Sequence, residues 1–395
     1  MIDTIVLVMI IPFSQRDYVR YGIQTFRENG FTVEVWDIVA ILYPDVDRYA
    51  ASSNPAQFEG HLKMKTREEV CAALNRVTGR SFLFLTTFLG YSSYWLYRSI
   101  SKRGIPYCVS VTNGAPLGTS RTDRSLRYYA RRLRFSTIAS RALGRLPLSL
   151  FGLKPASIAL AIGSKCSLER PEVVPSTRVV DGHTYDYDLC LTLRRRGKGS
   201  ESVAVYVDNY LPFHPDVLYT VSGAYPKIDP DHYYPVLRRF FDTVEEQTGL
   251  PVVVAAHPRS DYDSRRGLFG SREVVKGRTV DLIHDSRFAI LTFSTALNFV
   301  VAFKKPCLFI TLRELERNIY GEHIRELARL LGTREFNVES GALIDWNRAL
   351  AVDEEAYSSY QDAYIKKDGA PDRPVWQLLA EAVKGLSTGA PPISS

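Results

Sequence analysis

The stretch VVVAAHPRS, Val252–Ser260, runs from valines and alanines directly into His257, Pro258 and Arg259. A short apolar run bounded by turn residues is typical of a strand that is buried on both faces of a parallel sheet. Polar residues after such a strand lie at the carboxyl edge of the sheet, where ligands of open α/β sheets bind. The stretch therefore predicts a parallel α/β sheet with a binding site at the end of this strand.

Similar apolar runs recur along the chain and alternate with segments of helical periodicity. The first set is TIVLVMII, FTVEVWDI, SFLFLTTF, PYCVSV and SIALAIGS, and a second set starts at VAVYVDNY after the polar stretch LRRRGKGSES. Alternation of strands and helices predicts doubly wound parallel sheets. We therefore expect an α/β protein with two Rossmann-like domains, 1–195 and 203–352, facing each other across a cleft, and C-terminal helices with a tail at 353–395.

Composition narrows the classes of partner. The 395 residues are 45% hydrophobic and carry a net charge of +7, which favours an anionic partner. No zinc-finger, RRM-like or helix-turn-helix pattern accompanies the charge, so we expect no nucleic acid. The five cysteines show no paired metal-ligand spacing, and we expect no metal. The scattered cysteines favour a reduced cytosol, and the apolar opening run, which is too short to span a bilayer, is interpreted as a first strand.

A second polar cluster follows the apolar run FAILTF, where Ser294 and Thr295 lead into a helical segment. Hydroxyl residues there either cap the helix or, with its free N–H groups, bind a phosphate. His257 and Arg259 are likewise either turn residues or phosphate ligands. The sequence has no GxGxxG or GxxxxGK[ST] motif, so we expect one nucleotide held by side chains and a helix end.

Asp208 follows the apolar run VAVYV at the start of the second set of strands. A carboxylate at a strand end is a general base, a nucleophile or a cap for the following loop, and the sequence leaves these alternatives open. His214, shortly after it, is expected to stabilise the loop, with assistance in proton transfer as the alternative.

A basic segment at 121–146 is predicted to be helical. Its arginines recur at spacings near three, four and seven and so share one helix face. Such a face either lies on an anionic membrane, grips an anionic acceptor or is simply solvated.

Together, DNYLPFHPD, AAHPRS and LTFSTALNFVVAFKKPC in a two-domain α/β chain resemble bacterial GT-B glycosyltransferases that use CMP-activated ulosonic acids. Among these the sequence is most similar to the retaining β-Kdo transferases of O-antigen and capsule assembly. The resemblance implies that Asp208 is the catalytic carboxylate and that the CMP-sugar is bound without a metal or other cofactor. Sialyltransferases of this kind have an acidic pair followed by glycine, whereas this chain has Asp208, Asn209 and Tyr210.

The resemblance also implies roles for further residues. The expected donor-binding residues are His257, Pro258, Arg259, Lys276, Ser294 and Thr295. Arg16, Lys276 and Arg259 are candidate partners of the sugar carboxylate, and Gln15, Arg16 and Asn113 are candidates for the acceptor or sugar. The acceptor is expected to be a lipid-linked glycan at the inner face of the inner membrane, with segment 121–146 on the membrane surface.

Transfer is expected to proceed by double displacement through an Asp208 adduct, with retention. Three alternatives remain: an inverting sialyl or nonulosonic acid transferase with Asp208 as general base, a GT-B enzyme that uses nucleotide-diphosphate sugars, and a non-catalytic scaffold that binds glycan or nucleotide.

Overall fold

A computed structural model describes residues 1–44, 47, 58–77, 79–112, 143–166, 168–214 and 226–386. These residues form two compact units. The first unit contains the described residues up to Tyr185 together with those from Lys366 onward, and the second contains the described part of Asp186–Ile365.

The first unit is built on a parallel sheet of seven strands in the order β3-β2-β1-β4-β5-β6-β7. The strands are β1 (Thr4–Met9), β2 (Thr32–Asp37), β3 (His61–Lys63), β4 (Ser81–Leu85), β5 (Tyr107–Thr112), β6 (Ile158–Ile162) and β7 (Arg178–Gly182). Val6 of β1 pairs with Glu34 on one side and Leu83 on the other. Strands such as β4 and β6 are buried along their whole length, because helices cover both faces of a sheet of this kind.

Two apolar layers cover the faces of this sheet. The helices of the unit are Gln15–Arg20, Ile23–Glu28, Val39–Leu42, Arg67–Arg76, Tyr94–Arg103 and Val375–Leu386, with a 3-10 helix at Leu148–Phe151. Trp376 of the last helix is 2% exposed, and its ring packs against those of Phe26, Phe84 and Tyr185. Helix Val375–Leu386 is therefore part of the core of the first unit.

The second unit has a six-stranded parallel sheet in the order β10-β9-β8-β11-β12-β13. The strands are β8 (Val203–Val207), β9 (Val252–Ala256), β10 (Val274–Lys276), β11 (Ser286–Leu291), β12 (Cys307–Thr311) and β13 (Glu335–Asn337). Its helices are Tyr187–Arg194, Pro230–Thr248, Thr279–Asp285, Leu297–Ala302, Arg313–Glu316, Ile319–Leu330, Trp346–Ala349 and Glu354–Tyr360, with a 3-10 helix at Leu211–Phe213 and a π-helix at Gln361–Ile365.

The predicted fold class is confirmed, since each unit contains one doubly wound parallel sheet. The unit boundaries differ in detail from the ranges proposed from sequence. Helix Tyr187–Arg194 belongs to the second unit, where Tyr187 and Cys190 join the core. The described part of the predicted segment 353–395 is divided between the units at Ile365 and Lys366, a division that the sequence pattern alone does not reveal. Among the described helices, none combines the length and the apolar character needed to cross a bilayer.

Candidate functional site

Four neighbouring parallel strands bring the predicted donor residues to one edge of the second sheet. In the strand order β10-β9-β8-β11, Val207 pairs with Ala255 on one side and Leu291 on the other. Lys276 ends β10, and His257, Asp208 and Thr292 follow directly after β9, β8 and β11. Because the carboxyl ends of parallel strands meet at the same edge, the predicted residues Lys276, His257, Asp208 and Ser294 share it.

Asp208 is buried, at 2% exposure, and both of its carboxylate oxygens accept hydrogen bonds. Oδ1 accepts from the backbone N–H of Tyr210 at 2.9 Å, and Oδ2 accepts from the hydroxyl of Tyr262 at 2.7 Å. Tyr210 has φ 55°, a left-handed conformation that is uncommon for a residue with a side chain. Oδ1 therefore caps the following loop, as one of the sequence-based alternatives predicts, while Oδ2 accepts a hydrogen bond from a side chain.

The charge of Asp208 has no cationic partner: within the described part of the chain, no lysine, arginine or histidine lies within ion-pair distance of it. Burial raises the pKa of Asp208 from 3.8 to about 6, and the hydrogen bonds from Tyr210 and Tyr262 limit the rise. A buried carboxylate without a counter-ion destabilises the folded state, and groups of this kind cluster at functional sites.

His257 and Pro258 form a tight turn at the end of β9. The N–H of Ser260 donates to the carbonyl of His257 at 2.9 Å, which places Pro258 at the second turn position that its fixed φ favours. The N–H of Arg259 donates to Nδ1 of His257 at 3.2 Å. Since Nδ1 accepts, the neutral ring carries its proton on Nε2, which is a hydrogen-bond donor. Arg259 itself is exposed.

Two residues beside Asp208 connect it to its neighbours. The Nδ2 of Asn209 donates to Oγ1 of Thr292 at 3.0 Å and to the carbonyl of Phe293, so it ties the end of β8 to the end of β11. The ring of His214 meets that of His257 edge-on, with 4.8 Å between the ring centroids. The sequence alone did not indicate that Asn209 connects the ends of two strands. It also did not indicate that His214 and His257 are in contact.

Ser294 and Thr295 precede a helix of six residues, Leu297–Ala302. The structure differs from the predicted helix cap, because the N-cap position is Ala296 and no side chain caps it. The N–H of Ala296 donates to Oγ of Ser294 at 3.2 Å, and the N–H groups of Leu297 and Asn298 donate to backbone carbonyls. These three amides are already engaged, whereas the side-chain hydroxyls of Ser294 and Thr295 can each donate a hydrogen bond to a ligand.

Tyr262 is the residue at this edge that sequence considerations missed. It belongs to a group of tyrosines, in which the hydroxyls of Tyr234 and Tyr262 are 3.3 Å apart and those of Tyr206 and Tyr233 are 2.9 Å apart. Burial and the charge of Asp208 raise the pKa of Tyr262, so this hydroxyl keeps its proton and remains a donor. Tyr262 lies in a loop without hydrophobic periodicity, and no sequence signal connects it to Asp208.

The candidates in the first unit occupy the segment after β1. Gln15 and Arg16 are exposed in the first turn of helix Gln15–Arg20. Ser14 caps this helix, and its backbone N–H donates to Oδ2 of Asp17 at 3.1 Å. Asn113 and residues 121–142 of the basic segment lie outside the described residues. No group of three or more metal-ligating side chains that would suit an ion is present among the described residues.

Comparison with known proteins finds similarity in structure alone. No family model matches the chain, and no curated protein matches it in sequence. The wall teichoic acid polymerase TagF aligns with a TM-score of 0.54 at 11% identity, covering 98% of this chain and 90% of that chain. A putative UDP-N-acetylglucosamine 2-epimerase from Listeria monocytogenes gives 0.50 at 11% identity, covering 100% and 99%.

A plant protein extends the same comparison. UGT89C1 of Arabidopsis thaliana aligns with a TM-score of 0.50 at 9% identity, covering 98% of this chain and 100% of that chain. Similarity at this level of identity establishes architecture and leaves the reaction open. We conclude that the chain has the GT-B fold, with one doubly wound parallel sheet in each of its two units.

Proposed function

We propose that this chain is a glycosyltransferase that uses a CMP-activated sugar and that Asp208 reacts at the anomeric carbon. The observation that carries the proposal is the position of Asp208. Its carboxylate is buried and has no ion-pair partner among the described residues. Asp208 follows β8, which lies between β9 and β11, the strands that precede His257 and Ser294. A purely structural aspartate at such a depth is ordinarily paired, because an uncompensated buried charge is costly.

The neighbours of Asp208 have the chemistry to bind a nucleoside monophosphate. His257 follows β9, and Ser294 and Thr295 come shortly after β11, the two strands that flank β8. They offer hydrogen-bond donors to phosphate oxygens, and donors placed in this way stabilise the charge that develops on the leaving phosphate. Departure of CMP requires charge neutralisation and proton donation, which side chains can supply.

In the first step, an oxygen of Asp208 forms a bond to the anomeric carbon while the bond from that carbon to the phosphate oxygen breaks. CMP leaves with the electron pair. In the second step, an acceptor hydroxyl attacks the same carbon, Asp208 leaves as the carboxylate, and the hydroxyl proton passes to a base. Two inversions yield net retention. With a pKa of about 6, Asp208 is mostly anionic at neutral pH and available to attack.

The same pKa supports a second candidate, in which Asp208 takes the proton of the acceptor hydroxyl and transfer occurs in one inverting step. A carboxylate with a pKa near 6 accepts a proton at neutral pH more readily than an ordinary one. The two candidates differ in whether the enzyme carries the sugar covalently.

The donor class and the covalent step can be tested separately. We expect CMP to raise the melting temperature of the full chain more than UDP, GDP or ADP at equal concentration, because a ligand stabilises the state that binds it. Incubation with CMP-Kdo should add the mass of one Kdo residue to the intact protein, and Asp208→Asn should remove both adduct and transfer. Transfer without an adduct would favour the inverting route, and unchanged function in Asp208→Asn would favour a non-catalytic scaffold.

We extend the proposal to the acceptor, a lipid-linked glycan at the inner face of the inner membrane. The support is the resemblance to β-Kdo transferases and the arginine-rich sequence 121–146. Co-sedimentation of the full chain with vesicles of anionic and of neutral lipid tests it, since binding through arginines requires the anionic lipid and weakens with salt.

A further inference from the structure

A cavity of about 210 Å³ adjoins the candidate site at the edge strand of the second sheet. Its lining includes Ala256 and Lys276, the last residues of β9 and β10, and the loop between these strands, including Ser260, Tyr262 and Arg266. A water molecule occupies about 30 Å³ of liquid. The cavity therefore has room for a carboxylate or phosphate together with part of the molecule that carries it.

The charge around this cavity is positive and only partly neutralised. Nζ of Lys276 donates to the carbonyl of Ser260 at 2.7 Å, which fixes the ammonium group beside the loop. In the part of the chain that the structure describes, neither Lys276 nor Arg266 has an ion-pair partner. Asp263 is the acidic residue of the lining.

The other two arginines of the lining are already engaged. Arg272 is paired with Asp242 and Glu245, each at 2.6 Å. Arg265 lies 3.6 Å from Asp261, and its guanidinium stacks over the ring of Phe213 at 4.6 Å from the centroid. Lys276 and Arg266 are therefore the lining cations whose charge is left for a ligand.

Ser260 provides a second, independent observation. The residue is 4% exposed, and its hydroxyl has no hydrogen-bond partner among the described residues. A buried hydroxyl without a partner is energetically unfavourable, and a ligand atom that bonded to it would remove that cost.

The side chain of Tyr262 connects the cavity to Asp208. Tyr262 lines the cavity, and its hydroxyl donates to Oδ2 of Asp208 at 2.7 Å. A sugar whose anomeric carbon faces Asp208 would thus have the cavity within reach of its substituents.

We propose that this cavity is an anion subsite, in which Lys276, Arg266 and the hydroxyl of Ser260 bind an anionic group of the donor other than the phosphate held near His257. The group is a carboxylate of the sugar or a further phosphate. This inference rests on the proposed function, and it restricts the donor to molecules with two anionic groups. Ammonium and guanidinium groups form charge-assisted hydrogen bonds with both kinds of oxyanion.

Calorimetric titration of the full-length Asp208→Asn variant with CMP, CDP and CMP-Kdo, without acceptor, tests the subsite, because this variant should bind the donor without forming the adduct. We expect a ligand with two anionic groups to bind about tenfold more tightly than CMP, the typical effect of a charged hydrogen bond. Tighter binding of CDP identifies a phosphate, and tighter binding of CMP-Kdo identifies a carboxylate. Introduced into the same protein, Lys276→Met and Arg266→Ala should each remove most of this preference.

Arg239→Ala is the matched control. Arg239 is also exposed, and it lines a groove at the amino ends of β8 and β9 and not the cavity itself. We expect it to retain the preference. Equal affinities of Asp208→Asn for all three ligands, or a preference that persists after both cavity substitutions, would overturn the subsite.

Titration with inorganic pyrophosphate and with free Kdo addresses the cavity without a nucleotide. If no cytidine ligand binds, the proposed donor class is wrong. The subsite proposal then still predicts that one of these two anions binds and that the cavity variants weaken its binding. Absence of binding by both anions as well as by every nucleotide would overturn the subsite too.

Discussion

The hydroxyl of Tyr262 donates a 2.7 Å hydrogen bond to Oδ2 of Asp208, and these two residues are far apart in sequence. Tyr262 comes from the loop after β9 and Asp208 from the end of β8. The bond stabilises the anionic form of a carboxylate whose burial favours the neutral form. Tyr262 therefore helps to orient the group that we propose to be catalytic and, together with the N–H of Tyr210, limits the rise of its pKa that burial causes.

Tyr262→Phe should raise the pKa of Asp208 above its value of about 6, because the variant loses a donor to the carboxylate. A hydrogen bond to a charged group contributes about 1.5 kcal/mol or more, so we expect a rise of roughly one pKa unit. Carbon-13 NMR of labelled aspartate measures the rise directly, and the acidic limb of the pH–rate profile should move with it. Tyr234→Phe, which loses only a contact to Tyr262, is the control, and an unchanged pKa in Tyr262→Phe would refute the assignment.

Asp208→Asn should stabilise the fold at neutral pH even though it removes the proposed catalytic group. The raised pKa means that the folded state binds the proton more tightly than the unfolded state, so the free energy of unfolding falls as pH rises from 3.8 to about 6. Above that range ionised Asp208 costs at most about 3 kcal/mol, which the neutral amide avoids.

Urea unfolding of both proteins between pH 3 and pH 8 measures this effect. We expect the advantage of Asp208→Asn to be largest above pH 6 and to vanish below pH 4. A wild type that is more stable than the variant at pH 8 would show that Asp208 is structural.

His257→Ala should weaken CMP binding about tenfold, because it removes a hydrogen-bond donor from the proposed phosphate site. Calorimetry with CMP measures the change. His232→Ala is the matched control, since His232 is exposed in the same unit and its partners are Glu314 and Glu339. Equal effects of the two substitutions would place the nucleotide elsewhere.

Trp376→Ala should destabilise the first unit by about 3–5 kcal/mol, the range for truncation of a buried aromatic residue. The indole packs among buried rings, and its Nε1 donates to the carbonyl of Arg20 at 2.8 Å. Gly22→Ala should also destabilise it, because a Cβ on Gly22 would lie 2.3 Å from the Trp376 ring and its φ is 59°. Urea unfolding measures both, and the half-buried Trp346→Ala in the second unit is the control, with a smaller expected effect.

The sequence by itself determined the fold class and the edge at which the candidate residues meet. Apolar runs such as those of β8 and β9 indicate strands buried on both faces, and parallel strands must bring the residues after them to one edge. For this reason the amino-acid pattern alone predicts Asp208, His257 and Ser294 as neighbours. These inferences depend on local patterns and on the geometry of parallel sheets.

Only the tertiary structure decided what contacts Asp208 and which unit helix Val375–Leu386 packs in. The bond from Tyr262, the His214–His257 contact and the cavity at Ser260 all depend on loop conformations, which non-local packing sets and periodicity does not encode. Helix Val375–Leu386 has the amphipathic pattern of any core helix, but its return to the first unit depends on the space that Gly22 leaves for Trp376. Complementarity between distant surfaces is a property of the folded chain, and no local pattern contains it.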